Sequence, residues 1–231
     1  MRQYKRAHPL LESDMADTAV QRANMVAAQL RPNDVTDARI RDAMLNIPRE
    51  RFVPNTSLPV AYAEQCIPLS GGRVLLDPRS LAKLLQLADI GPEDRVLDVG
   101  CGTGYSTTVL SMMAAEVTGL EENKDLADQA AENLRSLGIA NASVVTGKLA
   151  QGCKQQAPFD VIFLNGAIDC EPTELLAQLA AGGRLVVVKC EGSAGHGVVY
   201  VRHQDAIGER STFDAHVPLL PGFERPRSFV F

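Results

Sequence analysis

Three glycines at alternate positions, Gly100, Gly102 and Gly104, follow directly on the apolar run Arg95-Val96-Leu97-Asp98-Val99. A second apolar run, Val117-Thr118-Gly119-Leu120, closes on an acid, Glu121, 21 residues after Gly100. A glycine backbone, lacking Cβ, takes positive φ and approaches a ligand closely, while the helix that starts there offers free N–H groups to the ligand's polar atoms. Strand, glycine turn, helix and a second strand ending in an acid form the first half of a nucleotide-binding α/β unit.

The spacing narrows the choice of nucleotide. The dinucleotide fingerprint G-x-G-x-x-G requires a third glycine three residues after the second, and here Tyr105 holds that place. Asp98, two residues before the first glycine, is also foreign to that pattern. Asp-x-Gly-x-Gly-x-Gly with an acid closing the next strand resembles the S-adenosylmethionine-binding motif of the Rossmann-like class I methyltransferases. The resemblance implies that Asp98, Gly100, Cys101, Gly102 and Gly104 border this cofactor and its product S-adenosyl-L-homocysteine. It implies too that a strand-end acid accepts hydrogen bonds from the ribose hydroxyls. Glu121 is preferred for that role because it closes the apolar run, with Glu122 as its neighbour and competitor.

The elements that must position these residues follow from periodicity. Apolar residues at helical spacing predict helices over 17–30 and 36–46, separated by the turn residues Arg31-Pro32-Asn33-Asp34. An irregular stretch through Gly71-Gly72 follows, of a length that suits a binding or lid role as well as a solvated connector. Pro78 opens a helix to about Leu87, Tyr105–Ala115 reads as a helix, and Asn123–Leu137 is a helix ended by Gly138. Strands are expected at 95–99, 117–121, 142–146, 159–164 and 184–189, their continuous apolar runs suiting parallel strands buried on both faces. Two more strands read at 197–202 and 211–217, and the methyltransferase resemblance implies that they form an antiparallel C-terminal edge. The expected fold is α/β, a mostly parallel seven-stranded sheet with helices on both faces and extra N-terminal helices. Residues 1–14 read as an extension, 15–77 as a helical and loop region packed on the catalytic domain, and 78–231 as the cofactor-binding domain. Ligands of such sheets sit at the carboxyl ends of the strands, which adds Gly147, Lys148 and Asn165 to the candidate site.

Composition excludes several classes. The chain has 231 residues, 45% of them hydrophobic and 22% charged, which fits one globular domain with an appended region. A net charge of −5 argues against a general nucleic-acid surface. No apolar run reaches the roughly 18–20 residues that span a bilayer. The five cysteines form no C-x-x-C pair and read as reduced thiols of a cytoplasmic protein, and the four histidines offer no metal-ligand spacing. Neither a membrane partner nor a metal is expected, and monomer and dimer are equally compatible with the sequence.

A more specific resemblance runs along most of the chain. Met25 through Pro54, with its run Ile47-Pro48-Arg49-Glu50-Arg51-Phe52-Val53-Pro54, is similar to the N-terminal region of the protein-L-isoaspartate O-methyltransferase family. Tyr62, Pro68-Leu69, Gly71-Gly72 and Pro78 continue the similarity, followed by the glycine motif, Ala157-Pro158-Phe159-Asp160, Gly182-Gly183-Arg184-Leu185 and His216-Val217-Pro218-Leu219-Leu220. Family membership implies carboxyl methylation of isoaspartyl residues in damaged proteins, a protein or peptide carboxylate as acceptor, and a role in protein repair. Two segments depart from the family pattern. Where members carry Gly-x-Gly-Gln-Thr-Ile-Ser-x-Pro, this chain has Gly71-Gly72-Arg73-Val74-Leu75-Leu76-Asp77-Pro78, so the hydroxyl residues bordering the acceptor become Val74 and Leu76 and the Gln becomes Arg73. Where members have Gly-Asp-Gly near the adenine, this chain has Gly147-Lys148-Leu149.

The implied chemistry asks little of acid–base groups. A carboxylate acceptor, with a pKa near 4, is already ionised at neutral pH. Catalysis then rests on orientation, an effect worth roughly 7–11 kcal/mol. Arg73, through charge-assisted hydrogen bonds to the acceptor, and Asn165, toward acceptor or cofactor amine, are the positioning candidates. The departures at Val74 and Leu76 keep two alternatives open: a methyltransferase for another carboxylate or a small-molecule acceptor, and a cofactor-binding module without turnover.

Overall fold

The computed structural model describes residues 9–192, 194–204 and 206–225. Helix α1 (Pro9–Met25) continues as one π-type turn through Leu30 and a 3-10 turn at Arg31–Asn33, so the Pro32 region redirects the chain after Leu30. It begins ahead of the expected Asp17 and takes in residues 9–14; residues 1–8 lie outside the described residues. Helix α2 (Ala38–Asn46) starts two residues later than its apolar period suggests. Thr36 and Asp37 give their backbone N–H groups to Gln86 Oε1 at 2.6 and 3.1 Å, and Asp37 caps the helix by accepting from the Arg39 N–H.

The irregular stretch before residue 78 contains a short antiparallel pair, β1 (Ile67–Pro68) and β2 (Val74–Leu75), joined by a 3-10 turn at Ser70–Gly72. Helix α3 (Pro78–Ala88) follows, with Asp77 as its cap and Pro78 in the first turn. The seven-stranded sheet then forms from β3 (Arg95–Val99), β4 (Glu116–Glu121), β5 (Ala142–Thr146), β6 (Phe159–Ile168), β7 (Leu179–Glu191), β8 (Ala194–His203) and β9 (Ala206–Asp214). Their order is β5-β4-β3-β6-β7-β8-β9, parallel through β7 and antiparallel for the last two. The helices between strands are α4 (Tyr105–Ser111), α5 (Lys124–Ser136) and the one-turn α6 (Thr173–Leu176).

Alternation along β3 sends its residues to two cores. Val96 joins α1, α2, α3 and α4 residues in one cluster, while Leu97 and Val99 join Leu149, Leu175, Leu220 and Phe223 in the other. Several boundaries differ from their apolar periods: β6 runs on to Ile168, β7 begins at Leu179 and β9 at Ala206, and both α4 and β9 end early. Helix α4 stops at Ser111 because Asn141 Nδ2 takes the Ser111 and Ala114 carbonyls and Ala115 N–H turns to Asp94 O. Strand β9 ends at Asp214, and Val217–Leu220 instead closes over the end of β6, where Ala167 N–H donates to Pro218 O and Leu220 N–H to Ala167 O, each at 2.8 Å. Among the described residues no helix is long and apolar enough to cross a membrane.

Candidate functional site at the carboxyl ends of β3, β4 and β6

The turn between β3 and α4 is a bare backbone cradle. Gly104 caps α4 with φ 91°, and a Cβ there would lie 3.1 Å from Ala130 Cβ of α5, so this position needs glycine for both conformation and close approach. Its neighbours lock the turn to the sheet: Gly100 and Cys101 give their N–H groups to Leu120 O.

Asp98 and Glu121 take different places. Asp98 lies fully buried beneath the turn, facing α4. Its Oδ2 accepts from Ser106 Oγ at 2.7 Å and Thr107 Oγ1 at 2.6 Å, and its Oδ1 accepts from Asn165 Nδ2. Burial pushes its carboxyl up to about 6 against the pull of these three neutral donors, and the charge of Glu121 adds to the rise. Asp98 therefore ties the end of β3 to the first turn of α4 and to β6. Cys101 is wedged beside Gly119, and burial, followed by the charges of Asp98 and Glu121, holds its thiol well above its ordinary range.

Glu121 faces the turn itself. Its Oε2 accepts from Gly102 N–H at 2.8 Å, and its Oε1 from the Glu122 and Asn123 N–H groups at 2.9 and 3.1 Å. It is fully buried, whereas Glu122 is exposed, so of the two acids only Glu121 presents its carboxylate to the glycine turn. At the neighbouring strand end Gly147 N–H donates to Glu121 O at 3.1 Å, and Lys148 is exposed. A cavity of about 680 Å³ opens beside this edge, lined among others by Leu120, Val145, Gly147, Cys153 and Gln156.

Arg73, expected at the acceptor, is brought to Glu121 instead. Its Nε lies 3.4 Å from Glu121 Oε2 and its Nη2 donates to Gly100 O at 2.7 Å, with only 4% of the residue exposed. Val74 pairs with Pro68 across the β1–β2 turn, and Leu76 is buried in the first core cluster, so both apolar replacements are absorbed by packing. Asn165 joins the network as a donor to Asp98.

Some residues of the site are not marked by the glycine motif. Thr103 Oγ1 donates to Phe52 O at 2.6 Å, and the Phe52 ring meets Tyr105 edge-on with centroids 5.3 Å apart. Arg49 is fully buried, gives its guanidinium to Ala61 O and Leu76 O at 2.7 Å each, and stacks 5.0 Å over Tyr105. The Pro-Arg-Glu-Arg-Phe-Val-Pro run thus clamps the glycine turn and the start of α4, and that run was the available signal. Leu69 and Leu220 belong to the Pro68-Leu69 and His216–Leu220 segments of the same resemblance. They lie where a Cβ at Gly102 or Gly100 would come within 3.0 Å of them.

The profile of the family described as Protein-L-isoaspartate(D-aspartate) O-methyltransferase (PCMT) matches residues 21–219. A protein-L-isoaspartate O-methyltransferase of Koribacter versatilis is 42% identical over 174 residues, 75% of this chain and 78% of the relative. Protein-L-isoaspartate O-methyltransferase 2 of Marinobacter nauticus is 34% identical over 213 residues, 91% and 97% of the two chains. A solved protein-L-isoaspartate O-methyltransferase superposes with a TM-score of 0.76 at 24% identity, over 87% of this chain and 66% of that one. A Plasmodium falciparum structure of the same designation, in complex with S-adenosyl-L-homocysteine, gives 0.73 at 22% identity, covering 85% of this chain and 96% of that one. At these identities the two structures speak for the fold. The profile match spans the Phe52 clamp, the glycine turn and both acids, and by it and these relatives this chain belongs to the protein-L-isoaspartate O-methyltransferase family.

Proposed function

We propose that this chain is a cytoplasmic S-adenosylmethionine-dependent O-methyltransferase acting on the carboxylate of isoaspartyl residues in proteins. The observation that carries the cofactor is Glu121: a buried carboxylate at a strand end, set against Gly102 N–H in a glycine-rich turn. The donor set fits the cofactor. Glu121 offers its Oε2 as an acceptor to a ribose, and glycine at 100 and 102 keeps Cβ atoms off this end of the turn. When bound, S-adenosylmethionine supplies an electrophilic methyl group on a sulfonium.

The chain's own residues supply position. Asp98, Ser106, Thr107 and Asn165 fix the turn and β6 in one network, so the surfaces facing cofactor and acceptor hold a single geometry. No general base is needed for an ionised acceptor. Asp98 is unsuited to that task, since its oxygens are enclosed by three donors. Incubation with labelled S-adenosylmethionine and an isoaspartyl peptide tests the function, with base-labile methyl ester as the expected product. Absence of ester above background, with cofactor bound, refutes the repair activity. One observation favours a second reading, methylation of another carboxylate: Leu76 is buried in the core and Val74 carries no hydroxyl, so neither offers the neutral hydrogen bonds that resemblance would place at an isoaspartyl group. Turnover of a metabolite extract but not of the peptide would support it.

A further inference from the structure

Arg73 holds a place that a nucleoside would need. Its guanidinium sits on the same Glu121 oxygen that faces Gly102 N–H, and it lies so close over Gly100 that a Cβ on that residue would run into Nη2. The two charges bury each other: Glu121 is fully enclosed and Arg73 nearly so. Each alone would be costly to desolvate, and together they satisfy one another. The arginine stands at the end of a tight turn. Gly71 and Gly72 both have positive φ, 64° and 72°, and the turn is held through Leu69 N–H to Arg73 O and Arg73 N–H to Ser70 O. Residue 73 is also where this chain departs from the Gln of the segment it resembles.

We propose that Arg73 is an internal occupant of the ribose acid, which the cofactor must exchange before it can bind. The inference rests on the cofactor reading above and goes beyond it. Glu121 keeps three backbone donors, from Gly102, Glu122 and Asn123, whether or not Arg73 is present. Its carboxylate therefore survives the exchange, and the guanidinium is what moves. A site whose competent form exists only after this displacement binds its ligand more weakly by the fraction of time it is open. Arg73 thus sets the cofactor affinity without being a catalytic residue. The displaced guanidinium, no longer paired, turns outward with the Ser70–Gly72 turn.

Calorimetry with S-adenosyl-L-homocysteine on the full chain and its Arg73→Gln variant tests this. The variant is expected to bind at least about tenfold tighter, because the occupant is gone and the acid remains. Equal or weaker binding by a folded variant overturns the exchange while leaving the cofactor reading intact; no binding by either protein overturns both. A second measurement needs no variant. Phenylglyoxal modification of the unaltered chain, read at the Arg73 peptide by mass spectrometry, should accelerate several-fold when S-adenosyl-L-homocysteine saturates the site. An Arg73 that stays protected in the loaded protein refutes the displacement.

Discussion

Asp98 makes the pH dependence of this fold a direct test of how the glycine motif is built. Its carboxyl is fully buried, touches three neutral donors and no cation, and is pushed up to about 6 from an ordinary 3.8. For an acid whose folded pKa is raised, the sign is fixed. Its contribution to stability is fully present below the unfolded value of 3.8 and is lost as pH rises through about 6. The full gap corresponds to ~3 kcal/mol, of which about 1.3 kcal/mol falls between pH 7 and pH 5. Other groups titrate in the same window, so the informative quantity is a difference. Asp98→Asn is nearly isosteric and removes this titration; the hydroxyls of Ser106 and Thr107 can rotate to accept from the new amide. Urea unfolding of both proteins, followed by circular dichroism at pH 5, 6 and 7, gives the difference directly. The unaltered chain should gain about 1.3 kcal/mol over the variant on going from pH 7 to pH 5. A flat difference, or one that moves the other way, would show that the hydrogen bonds outweigh desolvation and that Asp98 is an ordinary low-pKa carboxylate.

Three substitutions probe the rest of the architecture. Gly104→Ala forces a side chain into a left-handed position 3.1 Å from Ala130 Cβ. Strain of ~1–2 kcal/mol plus overpacking of ~1–3 kcal/mol predicts a clear fall in the urea midpoint. Glu121→Ala leaves the Gly102, Glu122 and Asn123 N–H groups without their buried acceptor and should lower stability by roughly 1–3 kcal/mol, measured by the same unfolding assay. Arg49→Met removes the donor to two buried carbonyls, Ala61 O and Leu76 O, at about 1–3 kcal/mol each, so its thermal midpoint should drop by several degrees.

The sheet and the ligand end of the fold were legible because their signals are local. The apolar runs of β3, β4, β6 and the middle of β7 are buried on both faces and have little freedom to be anything but strands, whereas β5, expected to be buried likewise, is the sheet edge and only half-buried. Pro78 marks a helix start by residue type, and Gly138, at φ 70°, a helix end. Less could be read where the deciding partner is distant in sequence. Thr36 and Asp37 are kept out of α2 by Gln86, some fifty residues on. Asn141 ends α4 from a loop beyond the next helix. The apolar residues of 217–220 look like a strand's continuation, yet they are buried by capping β6. Arg73 is the sharpest case. As a cation in a glycine-rich loop it suggests a hand for an acidic substrate, and only the fold reveals that the nearest acid belongs to the chain.

The two acids of the motif show how neighbours, and not residue type, assign the work. Asp98 and Glu121 both close buried strands within one turn of each other, and either would satisfy a pattern that asks for a carboxylate. Asp98 meets side-chain donors on α4 and β6, so its hydrogen bonds are spent on joining elements and its oxygens are closed to a ligand. Glu121 meets mainly backbone N–H groups, which fix its direction and leave one side of the carboxylate to the Arg73 side chain. A side chain can be exchanged for a ligand; a sheet and a helix cannot. The geometry that makes Asp98 a structural joint is therefore the same geometry that leaves Glu121 as the site's exchangeable acceptor, and the affinity of the site is set by how firmly Arg73 holds it.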